Sequence, residues 1–394
     1  MSRFTGLLAA LTGMLVLAVA IGIGRFAFTP VLPMMQHDYA LSISTAAWLA
    51  SANYIGYFLG ALSAVWLRYS APLMVFIALT AIAFTTVAMG LIHDLTGWLL
   101  LRTLAGITSA WALVFASAWI LPILARLERP RLGGLMFAGV GFGTTLAGLA
   151  CLFFLAFAWS SDQAWITLGL LAVACLALFG LAYNSPVFQT NPEPKPTPQM
   201  TPTALPLGPY WLPVFCYGLF GFGYIIPATF LPAMAKVLIP NPLLFGWAWP
   251  VFGLAALCST LMAGWLSARV HNRTIWAISH LVMAVGVAIP IVWPGLIGIL
   301  LSALGVGGTF MVATLTGMQE ARRIASQHAQ ALMAAMTAAF ALGQIVGPLL
   351  VSLLGSAEGH FVAPLLIAAL AVGGSGVILL LTDYSKPARR KPTA

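Results

Sequence analysis

The chain is 394 residues long, 61% of its residues are hydrophobic, and only 6% are charged, with a mean hydropathy of +1.01. About a quarter of the residues in a soluble domain are charged, so this composition excludes an ordinary soluble domain and indicates an integral membrane protein. We attribute the net charge of +9 at pH 7 to membrane topology rather than to a nucleic-acid partner.

Apolar runs of about 20 residues, the length that crosses a bilayer as a helix, recur along nearly the whole chain. They predict an all-α integral membrane fold with twelve transmembrane helices. The first run begins near Leu7 and continues too far for a cleaved signal peptide, so we interpret it as the first helix. The predicted spans are 6–35, 43–67, 72–92, 95–124, 132–158, 163–183, 209–236, 243–268, 274–292, 295–320, 328–355 and 361–382.

Lys and Arg are strongly biased to one side of the predicted bundle. If the N-terminus is cytoplasmic, 14 of the 17 Lys and Arg residues lie on the cytoplasmic side, and Lys236 alone lies on the other. Positive charges concentrate in cytoplasmic loops and meet anionic lipid headgroups there. This bias predicts a multi-pass protein of the bacterial inner membrane with both termini in the cytoplasm. Arg25 and Arg102 are the two basic residues that remain, and both fall inside predicted helices.

The four cysteines lie inside predicted spans without the spacing of a metal site. We therefore expect small packing residues, with neither disulfides nor zinc, and no cofactor. Side chains suited to catalysis are scarce and dispersed, so an enzyme is not expected. The cysteines are Cys151, Cys175, Cys216 and Cys258.

One long polar stretch, 184–208, is rich in Pro and Thr and lacks apolar periodicity. It predicts a cytoplasmic linker between two six-helix bundles, 1–183 and 209–394. The stretches "GIGRFAFTPVLPMM" and "GFGYIIPATFLPAM" support an internal duplication, because their shared residues are separated by a constant offset of 199. That offset relates Gly22 to Gly221, Gly24 to Gly223, Leu32 to Leu231, Pro33 to Pro232, Met35 to Met234, Trp48 to Trp247 and Gly106 to Gly305.

Several motifs resemble the major facilitator superfamily over essentially the whole chain. "RTLAGITSA" matches its R-x-x-x-G signature through Arg102 and Gly106, and "GWLSARVHNR" resembles its G-x-x-x-D-R-x-G-R-R loop with Ala268 where the acid is usual. "GQIVGP" and "GVGFG" are similar to the glycine motif of its antiporters. "GIGRFAFTPVLP" with "SANYIGYFLGAL" looks most like the bacterial YbfB/YjiJ branch. The resemblance implies a transporter whose first, fourth, seventh and tenth helices line a central cavity.

Acidic residues are confined to loops, tails and helix ends, so no predicted span has a central carboxylate. Many proton-driven members of the superfamily that the chain resembles use an intramembrane Asp or Glu as the proton carrier, and its absence closes that route. Coupling by protons is then left to a helix-end acid, a histidine or the substrate itself. The acids are Asp38, Asp94, Glu128, Asp162, Glu193, Glu320, Glu358 and Asp383.

Arg25 lies well inside the first helix, where a charge costs about 3 kcal/mol on insertion scales. A guanidinium stays charged in a medium of low dielectric constant and offers a planar fork to a carboxylate or phosphate. We therefore expect Arg25 to bind a substrate anion; the alternative is that it bonds backbone carbonyls or hydroxyls. The R-x7-P arrangement with Pro33 also resembles the organic phosphate antiporters. Because the repeat partner of Arg25 is Tyr224, a neutral donor, a monoanion or zwitterion with an apolar body is favoured over a phosphate ester.

Other polar and aromatic side chains are candidates for the same substrate site. Arg102 is expected either to contact substrate or to bond the first helix. Phe28 and Thr29 share the helix face of Arg25, and the remaining candidates are each also able to bond a neighbouring helix. These remaining candidates are Asn53, Tyr57 and Gln344.

The sequence thus predicts a monomeric secondary active transporter that moves a small organic anion or amphiphilic acid by alternating access, with protons as a candidate coupling ion. The alternative is an exporter of lipophilic drugs or metabolites driven by proton antiport. A sensor built on a transporter scaffold is a third class, which would require an additional soluble domain.

Overall fold

A computed structural model describes residues 2–64, 66–190, 207–267, 269–325, 328–354 and 361–382. The regular structure of these residues is entirely helical. The first helix, α1, has three consecutive segments, Ser2–Leu17, the π-helical Ala18–Ile23, and Phe28–Asp38. It is followed by α2 (Ile43–Ser63), α3 (Ala71–Met89), α4 (Leu95–Arg126), α5 (Gly133–Ala156) and α6 (Ser161–Tyr183). The second six are α7 (Leu207–Leu238), α8 (Ala248–Leu266), α9 (Asn272–Val292), α10 (Leu296–Ile324), α11 (Ala329–Leu354) and α12 (Val362–Leu381).

The all-helical membrane fold is confirmed. Of the twelve long helices among the described residues, eleven are long and apolar enough to cross a membrane. The exception is α2, which has 21 residues but whose mean hydropathy is lowered by Ser, Thr, Asn and Tyr. Its polar residues are explained by its position, because α2 packs between α4 of the first half and α11 of the second.

Two short helices accompany the twelve long ones: one falls in the predicted linker, and the other overlaps the start of the predicted span 243–268. Pro186–Thr190 occupies the start of 184–208 and packs against α1, while Pro242–Phe245 precedes α8. The rest of the predicted linker, 191–206, lies outside the described residues. So do Glu193, Glu358 and Asp383.

The pattern of helix packing is the same in the two groups of six. In the first, α1 packs on α5, α2 and α3 on α4, and α3 on α6. In the second, the corresponding pairs are α7 on α11, α8 and α9 on α10, and α9 on α12. This recurrence is what a duplicated six-helix unit produces.

The two groups meet along three seams, α5 with α8, α2 with α11, and the last segment of α1 with α7. The first segment of α1, Ser2–Leu17, packs instead on α4, α5 and α6 of its own group. The contact between α1 and α7 is therefore concentrated at the end of the bundle where α1 ends and α2 begins, which we call the α1/α2 end.

Hydrogen bonds between the groups also lie from the middle of the bundle to the α1/α2 end. The Lys236 ammonium donates to the Pro33 carbonyl, with a nitrogen to oxygen distance of 2.8 Å. Three further bonds join Thr29 to Ala228, Tyr54 to Thr229, and Ser44 to Ser352, at 2.9, 2.9 and 2.7 Å. These contacts close the α1/α2 end of the interface.

Candidate functional site

The first helix is broken at Arg25. Before it, the backbone runs as a π-helix, in which the amide of Gly24 bonds the carbonyl of Val19 and the amide of Phe26 bonds that of Ile21. Residues 24–27 then form a turn before the α-helix resumes at Phe28. Short π-helical segments occur often at functional sites. The apolar run by itself predicts one continuous helix over 6–35, and nothing in it indicates this break.

Three side chains of α2 and α4 bond the backbone of this broken segment. Asn53 donates to the carbonyl of Gly24, at 3.4 Å, and to that of Arg102, at 2.9 Å. Arg102 donates to the carbonyls of Gly24 and Arg25, at 3.4 and 3.2 Å. Ser109 donates to the carbonyl of Ala20, at 2.7 Å. Carbonyls that a regular helix would use internally are thereby paired inside the bilayer, where water is not available.

The corresponding region of α7 is an uninterrupted helix, although it carries the same glycines and the same proline. The two regions differ in the side chains that neighbouring helices present to them. At the repeat offset of 199, Asn53 corresponds to Phe252, Arg102 to Leu301, and Ser109 to Gly308. None of these three replacements has a side chain that can donate a hydrogen bond. The second half therefore lacks the donors that pair the free carbonyls of the first.

Arg25 itself points to the second half of the protein. One terminal nitrogen of its guanidinium donates to the side-chain oxygen of Gln344 in α11, and the Gln344 nitrogen donates to the Tyr224 hydroxyl in α7. All three side chains are buried, with exposed fractions of 4% for Arg25, 0% for Gln344 and 1% for Tyr224. The three residues form a chain of hydrogen bonds that joins the two halves, and we call them the central triad.

Aromatic rings surround the guanidinium of Arg25. Its central carbon lies 4.2 Å from the ring centroid of Tyr57, 5.1 Å from that of Tyr54 and 5.4 Å from that of Phe26. A cation over an aromatic face gains up to about 2 kcal/mol when it is desolvated. These rings help to keep the charge of Arg25 in an apolar setting.

The wall facing Arg25 from the second half is also aromatic. The Tyr224 ring is stacked between Phe310 and Phe340, with centroid distances of 5.6 and 5.5 Å and interplanar angles of 2° and 11°. Phe252 stacks in turn on Phe310 and on Trp249. Such packing presents flat apolar surfaces beside one cationic group.

Neither Arg25 nor Arg102 is paired with an acid among the described residues. Among the described residues, the ion pairs are confined to helix ends and loops, and none involves Arg25 or Arg102. The Nε groups of both arginines are buried and have no hydrogen-bond partner. Each guanidinium can therefore donate one more hydrogen bond. Because an unpaired buried donor is costly, an acceptor at this position would be stabilising.

The predicted site residues fall into two clusters. Arg25, Tyr57, Tyr224 and Gln344 come together in the central triad and its surroundings. Arg102 and Asn53 instead lie behind the broken segment of α1, together with Phe28, whose ring centroid is 4.8 Å from the Arg102 guanidinium carbon.

Thr29 belongs to neither cluster, because its hydroxyl bonds α7 across the seam. The geometry of Arg102 corresponds to the structural alternative considered for it, a bond between the fourth helix and the first. Substrate contact by any of these residues stays a prediction.

Most of the aromatic part of the site is not among the residues predicted from the sequence. Phe26 and Tyr54 directly follow Arg25 and Asn53 in the chain. They could have been predicted if residues next to the candidates in sequence had been considered as well as residues on the same helix face. Phe310 and Phe340 carried no local signal, because phenylalanine is common throughout this chain and only the packing distinguishes these two.

Comparisons with known proteins agree with this architecture. The family described as the uncharacterised MFS-type transporter YbfB matches residues 17–380. A D-xylose-proton symporter has a similar structure, with a TM-score of 0.75 and 15% identity, over 98% of this chain and 99% of that chain. A mutant of the nucleoside transporter NupG gives a TM-score of 0.69 and 14% identity, over 94% and 99% of the two chains. At such identities the structural likeness shows the fold alone.

No curated protein matches the chain in sequence. The family match covers most of the chain, and the two structural likenesses span nearly all of it. The chain therefore belongs to the family of the MFS-type transporter YbfB and has the major facilitator fold.

Proposed function

We propose that this protein is a secondary active transporter that moves a small organic monoanion, or an amphiphilic acid with an apolar body, across the bacterial inner membrane. The observation that carries the proposal is that Arg25 is buried without an acidic partner among the described residues. Its guanidinium is buried at the seam between the halves, bonds a neutral amide, and forms no ion pair with any described residue. A permanent charge placed there at a cost of about 3 kcal/mol requires a compensating partner.

The rest of the site favours a monoanion over a dianion. Arg25 is the only cation of the central triad, and the second half contributes Tyr224 and Gln344, which are neutral. A second negative charge would find no counter-ion within the triad, which is expensive at low dielectric constant. The other buried cation, Arg102, bonds the α1 backbone behind the broken segment. The rings of Phe26, Tyr54 and Tyr57 and the stacked wall of α7, α10 and α11 suit an apolar or planar body.

Alternating access would rest on the seams between the halves. With the cytoplasmic termini that the charge bias predicts, the α1/α2 end is periplasmic, so the described conformation is closed toward the periplasm. Rocking of one half against the other around a site near the midplane would then open that end. Lys236 and Thr29 would release their partners in the other half during this movement.

Coupling is proposed to run through the substrate. The described membrane-spanning segments contain no central carboxylate, and buried Glu320, in the last turns of α10, pairs with Arg323 at 2.7 Å. Exchange of anions, or symport of the anion with a proton, fits this arrangement better than a fixed carboxylate relay.

The rival function, export of lipophilic compounds by proton antiport, draws on the same aromatic wall. Those rings alone would accept a neutral hydrophobic ligand. The rival gives no role to the buried charge of Arg25, so the two functions differ in what removal of that charge does to binding.

A ligand panel distinguishes the two functions. The purified full-length protein is tested by thermal shift with monocarboxylates and with the neutral amide of each, in the wild type and in Arg25→Gln. Arg68→Gln, at an exposed loop position, makes the same change of charge and is the matched control. We expect some carboxylates to stabilise the wild type and Arg68→Gln but not Arg25→Gln, and we expect the amides to have no effect.

The opposite pattern would sink the anion proposal. If the neutral compounds stabilise the protein as well as the acids do, and Arg25→Gln responds like the wild type, then the site recognises apolar surface and the exporter function is favoured. Uptake of the effective acid into proteoliposomes, with and without a counter-anion inside, then tests exchange.

A further inference from the structure

We propose that Gln344 is an internal stand-in for the carboxylate of the substrate: in the empty transporter it occupies Arg25, and the substrate displaces it. This inference rests on the proposed function. It assigns to Gln344 a competing role that goes beyond lining the site.

Gln344 lies where the negative group of the substrate is expected to bind. Its amide lies directly between Arg25 and Tyr224, the two groups expected to bind the anion, and bonds both of them. A carboxamide has the shape of a carboxylate, with a planar carbon carrying two polar atoms. The amide therefore fills the space that a carboxylate would take and bonds the same two side chains. Its nitrogen, however, donates to the Tyr224 hydroxyl, from which a carboxylate would accept.

The bonds of this amide are incomplete in a way that a carboxylate would correct. Only the Gln344 oxygen can accept from the guanidinium, because its nitrogen is a donor and faces the Tyr224 hydroxyl. The Nε group of Arg25 has no partner. A carboxylate could accept from Nε and a terminal nitrogen together, and such charge-assisted bonds are roughly twice as strong as neutral ones.

Because Gln344 and Arg25 belong to different halves, displacement of Gln344 would change the contact between the halves. Its neighbour Gly343 brings α11 so close to α7 that an added methyl would lie 2.3 Å from the carbonyl oxygen of Gly218. Gln344 is thus fixed to the second half, whereas Arg25 belongs to the first. Their bond joins the halves in the empty protein, and a substrate that replaces it releases this tie.

Removal of the competitor should strengthen binding. Gln344→Ala vacates Arg25, and Gln344→Met does so with nearly unchanged volume. One intramolecular hydrogen bond contributes about 0.5–1.5 kcal/mol, so we expect the Kd of a carboxylate to fall about two- to tenfold. Binding is measured by titration calorimetry with benzoate, a planar monocarboxylate, and benzamide serves as its neutral counterpart.

A permanent carboxylate at this position should have the opposite effect. Gln344→Glu would place a tethered acid on Arg25, so benzoate binding and transport should be lost while the ligand-free protein melts at a higher temperature. This gain should vanish in the double variant that also carries Arg25→Gln. Exposed Gln319 in α10 supplies the matched controls, Gln319→Ala and Gln319→Glu, which should behave like the wild type.

The outcomes separate the inference from the function on which it rests. If benzoate binds the wild type, Gln344→Met and Gln344→Glu equally well, Gln344 is not a competitor and the inference fails while the anion site stands. If neither benzoate nor any other monocarboxylate of the panel binds the wild type, the proposed function fails and takes the inference with it. Tighter binding in Gln344→Met together with lost binding in Gln344→Glu supports both.

Discussion

Thr29 donates a hydrogen bond to the carbonyl of Ala228, the residue 199 positions later that is its own counterpart in the repeat. A residue can touch its repeat partner only near the pseudo-twofold axis that relates the two halves. This single bond of 2.9 Å therefore marks where α1 and α7 cross that axis. Arg25 lies one helical turn before Thr29, which puts the central triad beside the axis.

Lys236 should stabilise the closed α1/α2 end. Its ammonium donates to the Pro33 carbonyl near the end of α1, where a cation also interacts favourably with the helix dipole. We expect Lys236→Met to weaken closure by about 1 kcal/mol, a roughly fivefold shift in population. The shift is measured as faster labelling of a cysteine introduced at buried Met34 with a bulky maleimide added to intact cells.

Lys236→Arg is the control for that experiment, because it keeps a donor within reach of the carbonyl. Its labelling rate should stay close to that of the parent. Equal rates in Lys236→Met and Lys236→Arg would mean that the bond contributes nothing to closure. The same chain without the added cysteine corrects for the four native cysteines.

Gly22 should tolerate no side chain. A methyl group added there would lie 2.5 Å from backbone atoms of Gly143, in the crossing of α1 and α5. Because small residues allow this close approach, we expect Gly22→Ala to destabilise the protein by about 1–3 kcal/mol through overpacking. The melting temperature of the purified protein in detergent reports the loss.

Gly180 in α6 is the matched position, since nothing lies within 4 Å of the methyl that alanine would add there. Gly180→Ala should leave stability unchanged or raise it by up to about 1 kcal/mol, as alanine restricts the unfolded chain. A melting temperature for Gly22→Ala at or above that of Gly180→Ala would contradict the packing of α1 on α5.

Asn53 should be required for the broken segment of α1. Its side-chain nitrogen bonds the carbonyls of Gly24 and Arg102, and Asn53 is fully buried. Asn53→Leu would leave both carbonyls without this donor, so we expect a loss of about 1–3 kcal/mol, measured as a lower melting temperature. Thr80→Val is the control, because exposed Thr80 bonds the carbonyl of Phe76 in its own helix and contacts no other helix through a described hydrogen bond. Similar melting temperatures for the two variants would show that other donors can pair these carbonyls.

Much of the fold could be predicted because its determinants are local. A membrane helix is specified by about 20 apolar neighbours in the chain, and repetition at an offset of 199 can be seen by aligning the sequence with itself. Even so, α2 was predicted from its apolar residues, although it is the one long helix of the described residues that is not apolar enough to be a candidate membrane span. Its polar residues are accounted for only by α4 and α11 on either side.

The candidate site was predictable only in part, because some of its features depend on contacts between helices rather than on neighbours in the chain. Arg25 could be identified because a charged residue inside an apolar run is visible in the sequence. Tyr224 could be identified because it is the repeat partner of Arg25. The break in α1 did not stand out, since α7 carries the same glycines and proline without breaking. It depends on Asn53, Arg102 and Ser109, donors on other helices.

The hydropathy and the internal repeats of the sequence indicate a membrane protein with two similar halves, and they identify Arg25 as a charge in a costly position. The contacts of Arg25, in contrast, depend on how the helices pack. The side chain of Arg25 reaches Gln344, which is 319 positions away, across the seam between the halves. Hydropathy depends on neighbours in the chain, whereas a contact of this kind depends on how twelve separately formed helices pack, and that packing is what turns a buried charge into a candidate anion site.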